Sequence, residues 1–149
     1  MMEHAPNSHL LTFPILVVQP VQWGDQDAFG HVNNTIYLRW FESGRVAYFD
    51  RIGLSEMMRQ SKIGPILASL TCNYRRQVTY PDQVRIGTRV SRIGHTSLTL
   101  EHRITSDSSQ SIVTEGTSTI VAFDYAQNRP VPVPEALRRE IALLEGRTF

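Results

Sequence analysis

Trp23-Gly-Asp-Gln-Asp-Ala-Phe-Gly-His-Val-Asn-Asn-Thr-Ile-Tyr-Leu-Arg-Trp-Phe-Glu42 is the stretch on which the reading turns. Its first half, Gly24 to Gly30, is too short and too rich in turn residues to be helix or strand. Asn33-Asn34 is a helix start signal. From Thr35 to Ile52 runs the longest helical candidate in the chain. Tyr37, Trp40, Phe41, Gly44, Ala47 and Tyr48 recur at three- and four-residue steps and form an apolar face, while Arg39, Glu42, Ser43 and Asp50 gather on another. Arg51 and Gly53 suit its C-terminus.

Outward from this helix the pattern changes to a period of two. Before it, Phe13 to Trp23 favours a strand, and Pro20 assigns that strand to an edge or a bulge. After it, a short helical piece, Ser55 to Gln60, precedes the alternation of Ile66, Ala68, Leu70, Cys72 and Tyr74 with polar neighbours. Tyr80-Pro-Asp82 breaks the pattern. Val84 to Ser91, Leu98 to Ile104 and Ile112 to Phe123 are the next strands, separated by turns at Gly94-His95 and Ser106 to Ser111. Pro134 opens a last helix striped by Leu137, Ile141 and Leu144. The order predicts an α+β fold, a five-stranded and largely antiparallel sheet with one long apolar helix against it. One helix cannot cover such a sheet, so self-association is expected.

The totals fit one domain over residues 1–149, with Met1 to Leu11 expected as a loose tail. Fifteen Lys and Arg against fourteen Asp and Glu leave a charge of +1, so no nucleic-acid partner is expected. Cys72 is the sole cysteine, which excludes an intrachain disulfide and a thiolate metal cluster. No clustered ligand pattern suggests another metal. Leu10 to Val18 is apolar but short and interrupted, and reads as a first strand rather than a signal sequence. No run approaches the ~18 apolar residues of a membrane span. A cytoplasmic protein without membrane association is the expectation.

The chemistry lies in the opening stretch. Asp27 precedes Asn34 by seven residues, and Asn34 stands where the helix begins. The first N–H groups of a helix lack intrahelical acceptors and carry partial positive charge. They can hold a thioester carbonyl and the oxyanion that forms when it is attacked. A thiol with a pKa of about 8.5 leaves without a strong general acid, so one carboxylate and one helix start suffice. A structural reading stands beside this one: Asp27 and Gly30 also fit the ends of a type I turn, and Asn33 and Asn34 fit a cap. Asp25 is a weaker candidate. His31 is a candidate base or a packing residue.

Asp27-Ala-Phe-Gly-His-Val-Asn-Asn34, followed by Tyr37, Leu38, Phe41 and Glu42, resembles the signature of the 4-hydroxybenzoyl-CoA thioesterase family. Ala68 to Arg76 with Tyr80-Pro-Asp82, Gly94-His-Thr-Ser-Leu98 and Arg129-Pro-Val-Pro-Val-Pro134 resemble later segments of the same family, so the likeness covers about Phe13 to Leu144. It implies a hotdog fold, with the sheet wrapped around the long helix, and a homodimer joined edge to edge with active sites at the junction. Homotetramers are frequent in the family. It also implies acyl-CoA as the small-molecule substrate and no separate cofactor. Asp27 matches the nucleophile or general base, and Asn34 the position whose backbone N–H polarises the carbonyl. Phe29, Tyr37, Trp40 and Phe41 are candidates for the acyl pocket. Arg75, Arg76, Arg92, His95 and Thr96 are candidates for the phosphates of coenzyme A.

Glu42 lies eight residues after Asn34, where a sister branch of hotdog thioesterases carries its catalytic carboxylate; its structural reading is a surface partner of Arg39 or Arg45. The chain is also similar to acyl-carrier-protein thioesterases, but Phe29 replaces the Asn of their motif. Two further functions fit the resemblance. One is an enoyl-CoA hydratase or dehydratase using His31 and Glu42. The other is a non-catalytic acyl-CoA sensor, for which a further effector domain is expected.

Overall fold

Phe41 and Gly116 show how the helix and the sheet come together. The structure, a computed structural model, describes residues 7–149. Helix α1 runs Asn34–Arg51, capped by Asn33, whose Oδ1 accepts the Thr35 N–H, and ended at Ile52 and the left-handed Gly53. Five long strands, β1 (Ile15–Pro20), β2 (Ile63–Tyr74), β3 (Gln83–Ile93), β4 (Ser97–Ser106) and β5 (Ser111–Asp124), pair antiparallel in the order β1-β3-β4-β5-β2. A two-residue strand, β6 (Arg129–Pro130), adds to β5. The sheet curls around α1. Phe41 approaches so closely that a Cβ on Gly116 would collide with its ring, and a Cβ on Gly44 would collide with Thr88 Oγ1. The α+β hotdog architecture expected from the sequence is the one observed.

Because the sheet wraps the helix, the buried arc of α1 is wider than one stripe. Tyr37, Trp40, Phe41, Gly44, Arg45, Tyr48 and Phe49 are buried, and Ala47 is only half-buried. Two apolar clusters result. One gathers Tyr48, Ile52, Leu54, Leu100, Ile120 and Ile141, and the other Val32, Tyr37, Trp40, Phe41, Val78 and Ile104. Between them lies a polar layer of Arg45, Thr88, His102 and Ser118. Arg45, expected as a surface partner of Glu42, is 7% exposed and donates from Nη1 to Ser118 Oγ at 3.1 Å. No salt bridge joins Glu42 to Arg39 or Arg45 among the described residues.

Three further expectations are corrected. The tail does not extend to Leu11: Ser8–Leu10 forms a 3-10 turn, and Leu10 and Phe13 are buried against the bare backbone of Gly87. Met1 to Pro6 lie outside the described residues. Strand β2 begins at Ile63, with Pro65 tolerated because β2 is an edge strand. A bulge at Ala68 then reverses the alternation, so Leu67, rather than Ile66, shares a face with Leu70. Helices α2 (Leu54–Ser61) and α3 (Glu135–Glu145) fall where the sequence predicts them within one or two residues. No helix of the described residues is long and apolar enough to cross a membrane.

Candidate active site

The loop before α1 is a small closed hairpin. Asp25 O accepts the Asn33 N–H at 2.9 Å, Gln26 bridges Val32, and Asp27 donates its N–H to His31 O at 2.8 Å. The tip turns between Asp27 and Gly30, closed by Gly30 N to Asp27 O at 3.1 Å, and Gly30 takes the left-handed φ of +81° that this turn requires. Val32 anchors the hairpin: its N–H reaches Val78 O at 2.9 Å and its side chain joins the apolar cluster. The turn that stood as the structural reading of Asp27 is therefore present. It does not consume the carboxylate, since Oδ1 accepts the Phe29 N–H at 2.8 Å and no described residue donates to Oδ2.

Asp27, His31, Val32, Asn34, Tyr37, Tyr74, Arg75, Arg76 and Gln77 line one open cavity of about 320 Å³. At its floor, the first turn of α1 is tied on every side. Asn33 N is bonded to Asp25, the Thr35 N–H to Asn33 Oδ1 at 2.9 Å, and Ile36 N to Asn33 O at 3.0 Å. The Asn34 N–H has no acceptor among the described residues, as the first N–H of a helix usually does. Asp27 and Asn34, the residue that starts the helix, thus line one cavity. Such a pair can bind a carbonyl oxygen, stabilise it as it becomes an oxyanion, and deliver a nucleophile or a base.

The wall opposite the helix is the end of β2. Tyr74 donates its hydroxyl to Asn34 O at 2.9 Å and stacks edge-on against Tyr37 at 5.2 Å, and Tyr37 in turn meets Trp40 at 5.1 Å. Burial pushes the Tyr74 phenol up to about 12, with Cys72 adding to the effect and the Asn34 side chain opposing it. Burial likewise raises the Tyr37 phenol. Both stay protonated through the neutral range. Arg75 and Arg76 both donate backbone N–H groups to Val113 O and bring two cationic residues to the cavity lining. Arg75 is also 3.5 Å from Glu115.

The remaining candidates lie elsewhere in the chain. Asp25 turns its Oδ2 to the Gln22 N–H at 2.8 Å and does not line the cavity. Phe29 is 85% exposed at the turn tip, whereas Trp40 and Phe41 are packed into the core, Phe41 stacked on His102 at 4.6 Å. Glu42 is exposed on α1 and does not meet His31 at the cavity. Arg92, His95 and Thr96 sit at the β3–β4 turn, at the opposite end of the sheet from Tyr74. Tyr74 is level with Ile86 through Thr114 and Ile104, so the part of β3 from Ile86 to Ile93 separates it from that turn, about 23 Å at the usual strand rise. Val32, Tyr74 and Gln77 were not singled out in the sequence; the aromatic residue ending an apolar alternation just before Arg75-Arg76 was the available signal for Tyr74. No three His, Cys, Asp or Glu side chains among the described residues cluster to hold a metal ion.

Known proteins agree with this architecture. A thioesterase from Thermus thermophilus complexed with coenzyme A and zinc superposes with a TM-score of 0.83 at 32% identity, covering 93% of this chain and 99% of that one. The Escherichia coli long-chain acyl-CoA thioesterase FadM is 24% identical over 115 residues, 77% of this chain and 87% of FadM. The Bacillus subtilis protein YsmA is 34% identical over 82 residues, and that alignment covers 55% of this chain and 54% of YsmA, so the match spans about half the length of that relative. Residues 21–141 match the thioesterase-like superfamily as a whole. The chain therefore belongs to the thioesterase-like superfamily and has its hotdog fold.

Proposed function

We propose that the protein hydrolyses an acyl-CoA thioester to a carboxylate and free coenzyme A, with Asp27 as nucleophile or general base and the Asn34 N–H as the donor to the thioester oxygen. The observation that carries this reading is that Asp27 and Asn34, whose N–H has no acceptor among the described residues, line one cavity together with Arg75 and Arg76. Asp27 Oδ2 either attacks the carbonyl, giving an acyl-aspartyl anhydride that water then opens, or takes a proton from an attacking water. In both routes the coenzyme A thiolate departs and is protonated by solvent. Coenzyme A in the Thermus thermophilus relative and long-chain acyl-CoA in the name of FadM support the substrate class.

The working unit of this reading is a homodimer formed along β2. That strand is a twelve-residue edge carrying exposed Ile66 and Leu67, and long unpaired edges invite pairing. A two-fold antiparallel junction sets the Tyr74 end of one β2 against the Ile63 end of the other. It thereby carries the β3–β4 turn of the second copy, with Arg92, His95 and Thr96, toward the cavity of the first. A tetramer would add contacts through other faces.

The test is thiol release from a panel of aromatic, short-chain and long-chain acyl-CoAs, run beside Asp27→Asn and Glu42→Gln. Asp27→Asn is expected to lose about 100-fold or more in turnover with the fold retained. Near-normal turnover in Asp27→Asn with collapse in Glu42→Gln would move the carboxylate role to the helix. Tight binding of acyl-CoA with no thiol released at high protein concentration would leave a binding protein instead. Labelled oxygen from water found in Asp27 after one turnover marks the anhydride route.

A further inference from the structure

We infer that Tyr74 is a positioning residue for the thioester oxygen, acting through the first turn of α1; the inference rests on the thioesterase reading above and adds a residue that neither the motif nor the spacing pointed to. Its hydroxyl crosses from the end of β2 to the start of α1 and donates to Asn34 O at 2.9 Å. The peptide group between Asn34 and Thr35 is thereby held at both ends, its carbonyl by Tyr74 and its N–H by Asn33 Oδ1 at 2.9 Å. On the other side, Asn33 N is fixed to Asp25 O at 2.9 Å. The Asn34 N–H lies between these two anchored units, and its direction follows from theirs.

The phenol suits this task. Its ring is braced edge-on by Tyr37, 5.2 Å away, so the hydroxyl is delivered from a fixed direction. Tyr74 sits at the end of β2 while Asn34 begins α1, so the bond ties two elements forty residues apart in sequence at the point where the cavity opens. Oxyanion donors act by orientation set before the substrate arrives, and small angular losses lower the chemical step more than binding.

The experiment compares Tyr74→Phe with Tyr48→Phe, using the acyl-CoA that the wild type turns over fastest. Tyr48 donates its hydroxyl to Glu145 Oε1 at 2.7 Å within the other apolar cluster, so Tyr48→Phe removes the same group away from the cavity. The expected result is a fall in kcat of about 10- to 100-fold for Tyr74→Phe, with KM changed less than threefold, and wild-type kinetics for Tyr48→Phe. A second readout is the carbonyl stretch of the same acyl-CoA, carbon-13 labelled at the carbonyl, bound to Asp27→Asn. Binding is expected to lower its frequency, and the lowering is expected to shrink in the Asp27→Asn, Tyr74→Phe double variant. An unchanged kcat, or an unchanged stretch beside a strong lowering in Asp27→Asn, overturns the role of Tyr74 and leaves the thioesterase reading standing. Absence of thiol release by the wild type from every acyl-CoA tested overturns both.

Discussion

Arg45 and His102 meet at one hydroxyl: Arg45 Nη1 lies 3.1 Å and His102 Nε2 2.7 Å from Ser118 Oγ. His102 Nδ1 continues the chain to Thr88 Oγ1 at 3.2 Å, and the Phe41 ring covers the imidazole. This layer separates the two apolar clusters at mid-height of α1. Arg45 and Ser118 are buried, so the cost of desolvating the guanidinium is set against few hydrogen bonds. Burial draws the Arg45 pKa below its ordinary value, with Glu42 opposing. Removing the shared hydroxyl in Ser118→Ala is expected to destabilise by about 1.5–3 kcal/mol, because both nitrogens lose a partner in a dry site. Arg45→Met, which removes the buried charge and keeps the volume, is expected to cost less. Urea unfolding of the two single variants and of the double variant measures their coupling.

The same layer predicts a pH dependence. Burial first, and then the Arg45 charge, pulls the His102 imidazole from its ordinary 6.5 to about 3. Between those values the unfolded chain binds a proton that the folded chain refuses, so stability rises with pH in that window. The contribution is complete above about pH 6.5 and is lost as pH falls toward 3, with a slope of at most about 1.4 kcal/mol per pH unit. Unfolding free energies at pH 7.5, 6.5, 5.5 and 5 are expected to show this slope in the wild type and a flatter one in His102→Gln. Equal slopes in the two proteins would remove His102 as the source.

Much of the fold was legible because its elements carry strong periodicity: the apolar steps from Tyr37 to Tyr48, and the alternation through β2 to β5. What was missed is non-local. A charged residue on a helix reads as surface, and only the wrap of the sheet shows that Arg45 is enclosed. The docking of Leu10 and Phe13 depends on a bare Gly87 in another strand, and the bulge at Ala68 leaves no mark beyond an unbroken alternation. At the site, the motif named Asp27, His31, Asn34 and Tyr37, and the double arginine added two more; all six line the cavity. Tyr74 escaped because its partner, Asn34 O, is a backbone atom forty residues away. Arg92, His95 and Thr96 lie at the other end of the sheet within the same subunit, a separation that only the strand register reveals.

Helix α3, held by buried Leu137 and Ile141, ends on one carboxylate with two partners. Glu145 Oε1 accepts the Tyr48 hydroxyl at 2.7 Å and the Val90 N–H at 2.8 Å. Burial and the Glu145 contact raise the Tyr48 phenol, so it remains a donor throughout the working range. Glu145→Ala leaves that hydroxyl and that N–H without an acceptor and is expected to cost about 1–3 kcal/mol. Tyr48→Phe, which removes the donor and keeps the ring, is expected to cost less. Hydrogen exchange at the Val90 amide separates the two: faster in Glu145→Ala, near wild type in Tyr48→Phe.

The two arginines of the cavity lining make a prediction about which half of the substrate they serve. Arg75 and Arg76 border the cavity without belonging to its carboxylate-and-helix pair, and guanidinium groups in that place suit phosphate oxygens. The double variant Arg75→Ala, Arg76→Ala is expected to raise KM for an acyl-CoA about tenfold and to leave kcat within a few-fold. An N-acetylcysteamine thioester of the same acyl group has the thioester but no phosphates, and its kinetics are expected to be the same for variant and wild type. Added salt is expected to raise the wild-type KM for acyl-CoA and to have less effect on the variant, since screening weakens exposed charge contacts. Equal losses on both substrates would show instead that the arginines support the cavity wall, through the Arg75–Glu115 pair and the contact of Arg76 with Ser111.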